Sequence, residues 1–218
     1  MKTWIDRNFN SRREPIMGIE RLRINSDGNG VTTLVGFYGC PLRCRYCLNP
    51  QCHGYKNRWM MISAKQLYRE IKLDEIYMRM TGGGITFGGG EPCNRVRYIK
   101  EFRTLCGKDL KINIETSLNV RQENIKALIP IVDYWIVDVK DLNPDIYLSY
   151  TQHPINQLLN NLSLLKQEGI QDRILIRVPL IPGFNTIEDQ KKSINNLRVM
   201  GFEKIESFHY ILPSNEKK

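Results

Sequence analysis

Short apolar runs alternate along this chain with longer amphipathic ones. Val31–Tyr38, Ile85–Phe87, Lys111–Thr116, Tyr134–Val139, Arg173–Pro179 and Ile205–Ile211 are rich in β-branched and aromatic residues and read as strands. The spacing between them predicts helices over Val96–Cys106, Gln122–Ile129, Ile155–Glu168 and Thr186–Met200. Leu158, Leu159, Leu162 and Leu165 form one apolar stripe, and Gly169 and Gly201 stop their helices. Ser63-Ala64-Lys65-Gln66 has the form of a capping box. It predicts a helix from near Ser63 to about Met80, broken by Thr81-Gly82-Gly83-Gly84. Ile19–Ile24 alternates as a further short strand, and Ser26–Gly30 is a turn on composition. Residues 1–18 read as an irregular N-terminal arm.

Strand–helix alternation implies a parallel sheet with helices outside it. A full eight-unit barrel takes about 250 residues. With 218 residues and six units, the expected α/β fold is a partial, TIM-like (β/α)6 barrel, open on one side. Its core spans residues 31–211 of a single 218-residue domain, since no low-complexity tract or linker divides the chain.

Charge changes this picture little. The formal net charge is +9, which suits an acidic partner. The basic residues are scattered and do not interleave with aromatics, so neither nucleic acid nor a membrane is an expected partner. No apolar stretch of about eighteen residues occurs. Met1–Glu14 is polar and lacks the core of a secretory signal. The six cysteines therefore read as reduced thiols in a cytoplasmic protein.

Three of those thiols carry the candidate chemistry. Gly39–Pro50 holds Cys40, Cys44 and Cys47 in the pattern C-x3-C-x2-C, directly after a strand. Thiolates suit iron–sulfur clusters and zinc. Three sulfurs on one loop leave one corner of a four-iron cube without a protein ligand. Structural zinc takes four ligands, and Cys52 or His53 would supply the fourth on that reading. Cys93 and Cys106 read as small buried residues. Elsewhere, the charged Asp138, Lys140 and Arg177 fall in apolar strands, where charges need partners. Glu115 and Thr116 end a strand, either to cap a helix or to line a site. Gly88-Gly89-Gly90-Glu91-Pro92 offers bare backbone to a ligand or simply turns. His209, alone in its strand, reads equally as a core or surface residue.

The cysteine loop, with Gly39 before it and Asn49-Pro50 after, resembles the radical S-adenosylmethionine (radical SAM) superfamily, and within it the glycyl-radical-enzyme activating enzymes. Thr81–Pro92 is similar to that family's S-G-G-G-V-T-x-S-G-G-E-P, and Arg177–Asn185 to its R-x-P-x-I-P-G-x-N. The resemblance implies a 4Fe–4S cluster on Cys40, Cys44 and Cys47, with S-adenosylmethionine at the open iron. It implies cofactor contacts from Tyr46, Gly89, Gly90, Glu91, Glu115, Thr116, Asp138, Lys140, Arg177 and His209, and in some members a monovalent cation. The implied reaction is reductive cleavage of S-adenosylmethionine, then removal of a hydrogen atom from a glycine of a partner glycyl radical enzyme. Reduced flavodoxin or ferredoxin would supply the electron, in an anaerobic setting. Asn29 and Leu118 replace the family's proline and glycine. Two other readings are a radical SAM enzyme acting on a different peptide or small molecule, and a zinc-stabilised basic binding module.

Overall fold

The structure is a computed structural model and describes residues 12–54 and 59–211. One eight-stranded sheet runs through it. Six strands pair in parallel: β2 (Val31–Phe37), β4 (Gly84–Gly89), β5 (Lys111–Thr116), β6 (Tyr134–Asp138), β7 (Ile174–Leu180) and β8 (Ile205–His209). Along the sheet these six follow one another in chain order, with β1 (Arg13–Ile24) beside β2 and β3 (Met60–Ser63) beyond β1. Helices α1 (Ala64–Ile71), α2 (Glu75–Thr81), α3 (Val96–Cys106), α4 (Gln122–Leu128), α5 (Pro144–Thr151), α6 (Asn156–Gln167) and α7 (Ile187–Val199) lie in the connections. This is the open, partial (β/α)6 barrel that the alternation predicts.

The sheet extends beyond the six expected strands. Strand β1 runs over Arg13–Ile24 and pairs antiparallel with β2, while β3 (Met60–Ser63) covers the other edge of β1. The supposed arm is therefore strand from Arg13 onward, and its first eleven residues lie outside the described ones. Glu14 and Pro15 obscure the alternation there. Glu14 is buried against Arg12 and Arg95, so the chain neutralises a charge in place of an apolar residue. The helix expected from Ser63 is broken at Lys72–Asp74 by a 3-10 turn, where Arg21 grips the Asp74 carboxylate with two of its nitrogens. Its capping box forms as predicted. Helix α5 was not expected. Its local signal is Asn143-Pro144: the Asn143 side chain accepts from the Asp145 and Ile146 amides, and proline fits the first helical position.

Side chains alternate across the sheet. Val35, Phe87, Ile114 and Trp135 stand in register on adjacent strands and are fully buried in the main core. Phe37, Phe87 and Phe102 pack ring against ring there. The intervening residues, among them Leu34, Glu115, Asp138 and Arg177, line a cavity instead. The turn between β1 and β2 folds into the sheet's curve and forms the cavity floor. The Asp27 carbonyl accepts from Thr86 and Asn113, and the Ser26 carbonyl accepts from Arg177.

Candidate active site

Strand β2 ends at Phe37, and the chain then makes the cysteine loop over the carboxyl ends of the strands, where α/β barrels keep their chemistry. The loop is held from several sides. The Gly39 amide donates to the Cys52 carbonyl, and the Arg43 and Arg45 amides donate to Thr151 and Tyr150 at the end of α5. Leu42 is buried. The Tyr46 ring packs among Tyr150, Phe184 and Tyr210, and the Tyr210 hydroxyl donates to the Tyr46 carbonyl.

Cys40, Cys44 and Cys47 are free thiols, and all three open onto a cavity of about 470 Å³. Opposite them lie Gly89, Gly90, Glu115, Thr116, Asp138, Lys140 and Arg177, with Tyr46 at the side. Residues from most of the chain thus meet at one end of the sheet, as their positions at strand ends imply.

Gly89 and Gly90 sit where any side chain is excluded. Gly89 has φ +83°, and an added Cβ would lie 2.7 Å from the Gly36 Cα. A Cβ on Gly90 would lie 2.4 Å from the Gly39 carbonyl oxygen. The Gly90 and Glu91 amides donate to Phe37 and Gly39, tying the glycine run to the root of the cysteine loop.

Glu91 behaves differently from the glycines. It is 1 % exposed and does not line the cavity. Oε1 accepts from the Cys93 amide and the Thr116 hydroxyl, and Oε2 from the Ser117 amide and hydroxyl. Four donors fill a carboxylate's acceptor sites. Glu91 therefore positions the ends of β4 and β5 and has no acceptor left for a ligand. His209 is exposed and outside the cavity. Its neighbour Tyr210, just past the end of β8, turns inward in its place, since successive residues of extended chain face opposite ways.

The charged residues arrive in pairs. Lys140 donates to Asp138 at 3.0 Å, and Arg177 pairs with Glu115 while a Glu206 oxygen stands 3.8 Å away. Both pairs are in the cavity wall, so Arg177 has an internal carboxylate partner. Burial, then Asp138, raises the pKa of Glu115 against the opposing pull of Arg177. Burial works against the charge on Lys140, but Asp138, Cys44 and Tyr150 outweigh it and raise its pKa.

The thiols differ among themselves. Burial, helped by Glu91, pushes Cys40 up to about 12, and burial also raises Cys44. A hydrogen bond with Cys52 instead lowers Cys47 to about 6. Among the described residues, the compact set of ligand atoms, all within 4.8 Å of one another, is Cys47, Cys52 and His53. Cys40, Cys44 and Cys47 do not form such a set. Their wider spacing suits thiolates bound to different irons of one cluster.

Ser117, Tyr150 and Tyr210 also line the cavity and were not singled out in the sequence. Asn49, marked there by Asn49-Pro50, lines it too, and its amide donates to the Gly89 carbonyl at 3.3 Å. The two tyrosines come from an unforeseen helix and a strand whose inward face was unknown.

Three free thiols at strand ends, around a cavity in an open parallel barrel, define an iron–sulfur enzyme site. The chain belongs to the radical SAM superfamily, whose model matches residues 34–197. That superfamily works with a 4Fe–4S cluster and S-adenosylmethionine, and the thiols and glycine cradle fit both. Among curated proteins, the chain is 26% identical to the pyruvate formate-lyase 2-activating enzyme of Escherichia coli, over 92% of this chain and 77% of that one. It is also 26% identical to the (2S)-3-sulfopropanediol dehydratase activating enzyme of Klebsiella oxytoca, over 78% of this chain and 72% of that one. The fold is shared with SuiB of Streptococcus suis, solved with bound S-adenosylmethionine, at TM-score 0.62 and 13% identity. That match covers 83% of this chain and 43% of SuiB, so the present chain spans less than half of that structure. Among the described residues no helix is long and apolar enough to cross a membrane.

Proposed function

We propose that this chain activates a glycyl radical enzyme, cleaving S-adenosylmethionine reductively and removing a hydrogen atom from a glycine Cα of the partner. The observation that carries this reading is the meeting of three free thiols with the Gly89–Gly90 cradle around one cavity. The similarity to activating enzymes across most of the chain supports it.

Cys40, Cys44 and Cys47 would each hold one iron, and the remaining iron would take the cofactor. When bound, the reduced cluster and the sulfonium cofactor supply a carbon-centred radical able to remove one hydrogen atom. The chain's own residues bind and orient. The backbone of Gly89 and Gly90 receives the amino group of the cofactor's methionine part. Lys140 offers a cation to its carboxylate, while Glu115, Thr116 and Asp138 receive the ribose or a monovalent cation. Tyr46, Tyr150 and Tyr210 close the side of the cavity and exclude water. Glu91 and Arg177 hold the strand ends that carry these groups. A glycine is a fitting target, since no side chain shields its Cα hydrogens.

Besides the three loop thiols, the chain has only Cys52, Cys93 and Cys106. These are too few for a further four-cysteine cluster to relay electrons, so an external donor would pass its electron straight to the cluster on Cys40, Cys44 and Cys47. A reduced flavodoxin or ferredoxin in the cytoplasm suits the net charge of +9. The test is anaerobic reconstitution with iron and sulfide, followed by dithionite and S-adenosylmethionine. Release of 5′-deoxyadenosine is expected, with a glycyl-radical doublet in electron paramagnetic resonance when the correct partner is added. Absence of 5′-deoxyadenosine from fully loaded protein would overturn the proposal. Its release without a doublet from any candidate partner would point to another peptide or small-molecule substrate.

A further inference from the structure

The side chains of Cys52 and His53 are not among the cluster or cofactor groups above, yet they sit against one of the cluster thiols. A ring nitrogen of His53 and the sulfurs of Cys47 and Cys52 lie within 4.8 Å of one another. Zinc binds thiolate sulfur at about 2.3 Å and histidine nitrogen at about 2.1 Å, which places neighbouring ligands under about 4 Å apart. Small side-chain movements therefore suffice to close the three ligands on one ion.

Two further observations point to a ligand. Among the described residues, the Nδ1 of His53 is buried without a hydrogen-bond partner, and such an atom costs free energy unless something meets it. A hollow of about 400 Å³ against the cysteine loop is lined by Cys44, Cys47 and His53 together with Arg43, Arg45 and Gln152. Two of the three ligands, Cys47 and His53, face this hollow. Cys44 and Cys47 line both spaces, and Cys47 is the one residue common to the trio and the cluster thiols. The set holds two thiolates and one imidazole, a donor chemistry suited to a borderline-soft divalent ion such as zinc.

We infer that Cys47, Cys52 and His53 form a second, single-ion metal site, filled by a divalent ion such as zinc in the cluster-free chain. Because Cys47 cannot serve both, the ion and the cluster exclude each other. Ion binding stands apart from the radical SAM reading; the competition rests on it.

The test uses cobalt(II) as the probe, titrated anaerobically into the cluster-free full chain. One equivalent binds, giving thiolate-to-cobalt charge transfer in the near ultraviolet and the visible bands of a tetrahedral site, and zinc displaces it. Cys52→Ala and His53→Ala each weaken cobalt binding by at least ~100-fold but still accept the iron–sulfur cluster. Cys40→Ala does the reverse: it loses the cluster and keeps the cobalt spectrum. Zinc added before iron and sulfide lowers cluster uptake in the parent chain and not in His53→Ala. If Cys52→Ala fails to fold, His53→Ala decides, since its side chain is less buried. A cobalt spectrum that survives His53→Ala, or that vanishes in Cys40→Ala, overturns the inference. So does the absence of any tetrahedral cobalt signal in the parent chain. Failure to release 5′-deoxyadenosine leaves all these readouts unaffected and bears only on the proposed function.

Discussion

The two faces of the parallel strands follow opposite rules. Outward, Phe87, Ile114, Trp135 and Ile176 are fully buried and meet the helices. Inward, within three residues along the same strands, Glu115, Asp138 and Arg177 surround space rather than fill it. The outer face is stabilised by apolar burial, at roughly 25 cal/mol per Å² removed from water. The inner face holds charges that tolerate partial burial only because each has a partner. One backbone thus separates the part that folds from the part that reacts, since a strand places successive side chains on opposite faces.

The sharpest way to break that division is to substitute across it. Cys44→Ala, on the reactive side, abolishes cluster assembly and 5′-deoxyadenosine release yet leaves thermal unfolding of the cluster-free chain nearly unchanged. Phe87→Ala, on the packing side, opens a void beside Phe37 and Phe102 and lowers stability by about 3–5 kcal/mol. Denaturant unfolding measures the loss. If Phe87→Ala instead spared stability and disabled the cofactor site, the division would fail.

A smaller effect sharpens the account of the inner face. Removing one member of the Glu115–Arg177 pair leaves the other charged and poorly solvated. Arg177→Met lowers stability by about 1–3 kcal/mol, reduced from a fully buried pair because both side chains keep some exposure. Glu115→Gln combined with Arg177→Met recovers much of that loss, as a double-mutant cycle in denaturant will show. The sign for pH follows from the raised pKa of Glu115. The folded state holds that proton more tightly than the unfolded one. Its contribution is therefore full below the ordinary glutamate range and fades as pH rises through the raised value. Arg177→Met removes the opposing pull and widens this window upward.

The smallest effect concerns thiol ionisation in the cluster-free chain. Cys47, held at about 6 chiefly by Cys52, is alkylated by iodoacetamide with a midpoint near that pH. Cys40, pushed up to about 12, stays a slow-reacting thiol at neutral pH. Cys52→Ala moves the Cys47 midpoint upward. Mass-spectrometric rates across pH check both statements, and equal rates at the two thiols would contradict them.

Much of this was legible in the residues. The six parallel strands, α3 and the amphipathic α6 announce themselves through local periodicity, and the cysteine spacing marks the loop. The pairs at Asp138–Lys140 and around Arg177 were visible as charges in apolar strands, although their partners were not. Strand β1 was half hidden because a buried, paired Glu14 interrupts its pattern. Helix α5 was missed although Asn143-Pro144 begins it with a cap.

The sequence by itself determined the alternation of strands and helices, the thiol triad and the glycine cradle. Each depends on neighbours within a few residues, through backbone preference, side-chain period or ligand spacing. Only the tertiary structure decided that Glu91 is saturated by Thr116 and Ser117, that Tyr210 rather than His209 turns to the cavity, and that Cys52 and His53 stand beside Cys47. The hairpin turn at Ser26–Gly30 likewise became a floor only when Thr86, Asn113 and Arg177 met it. Those outcomes depend on which face of a strand turns inward and on which distant donors come within reach, and both are set by how the whole sheet curves.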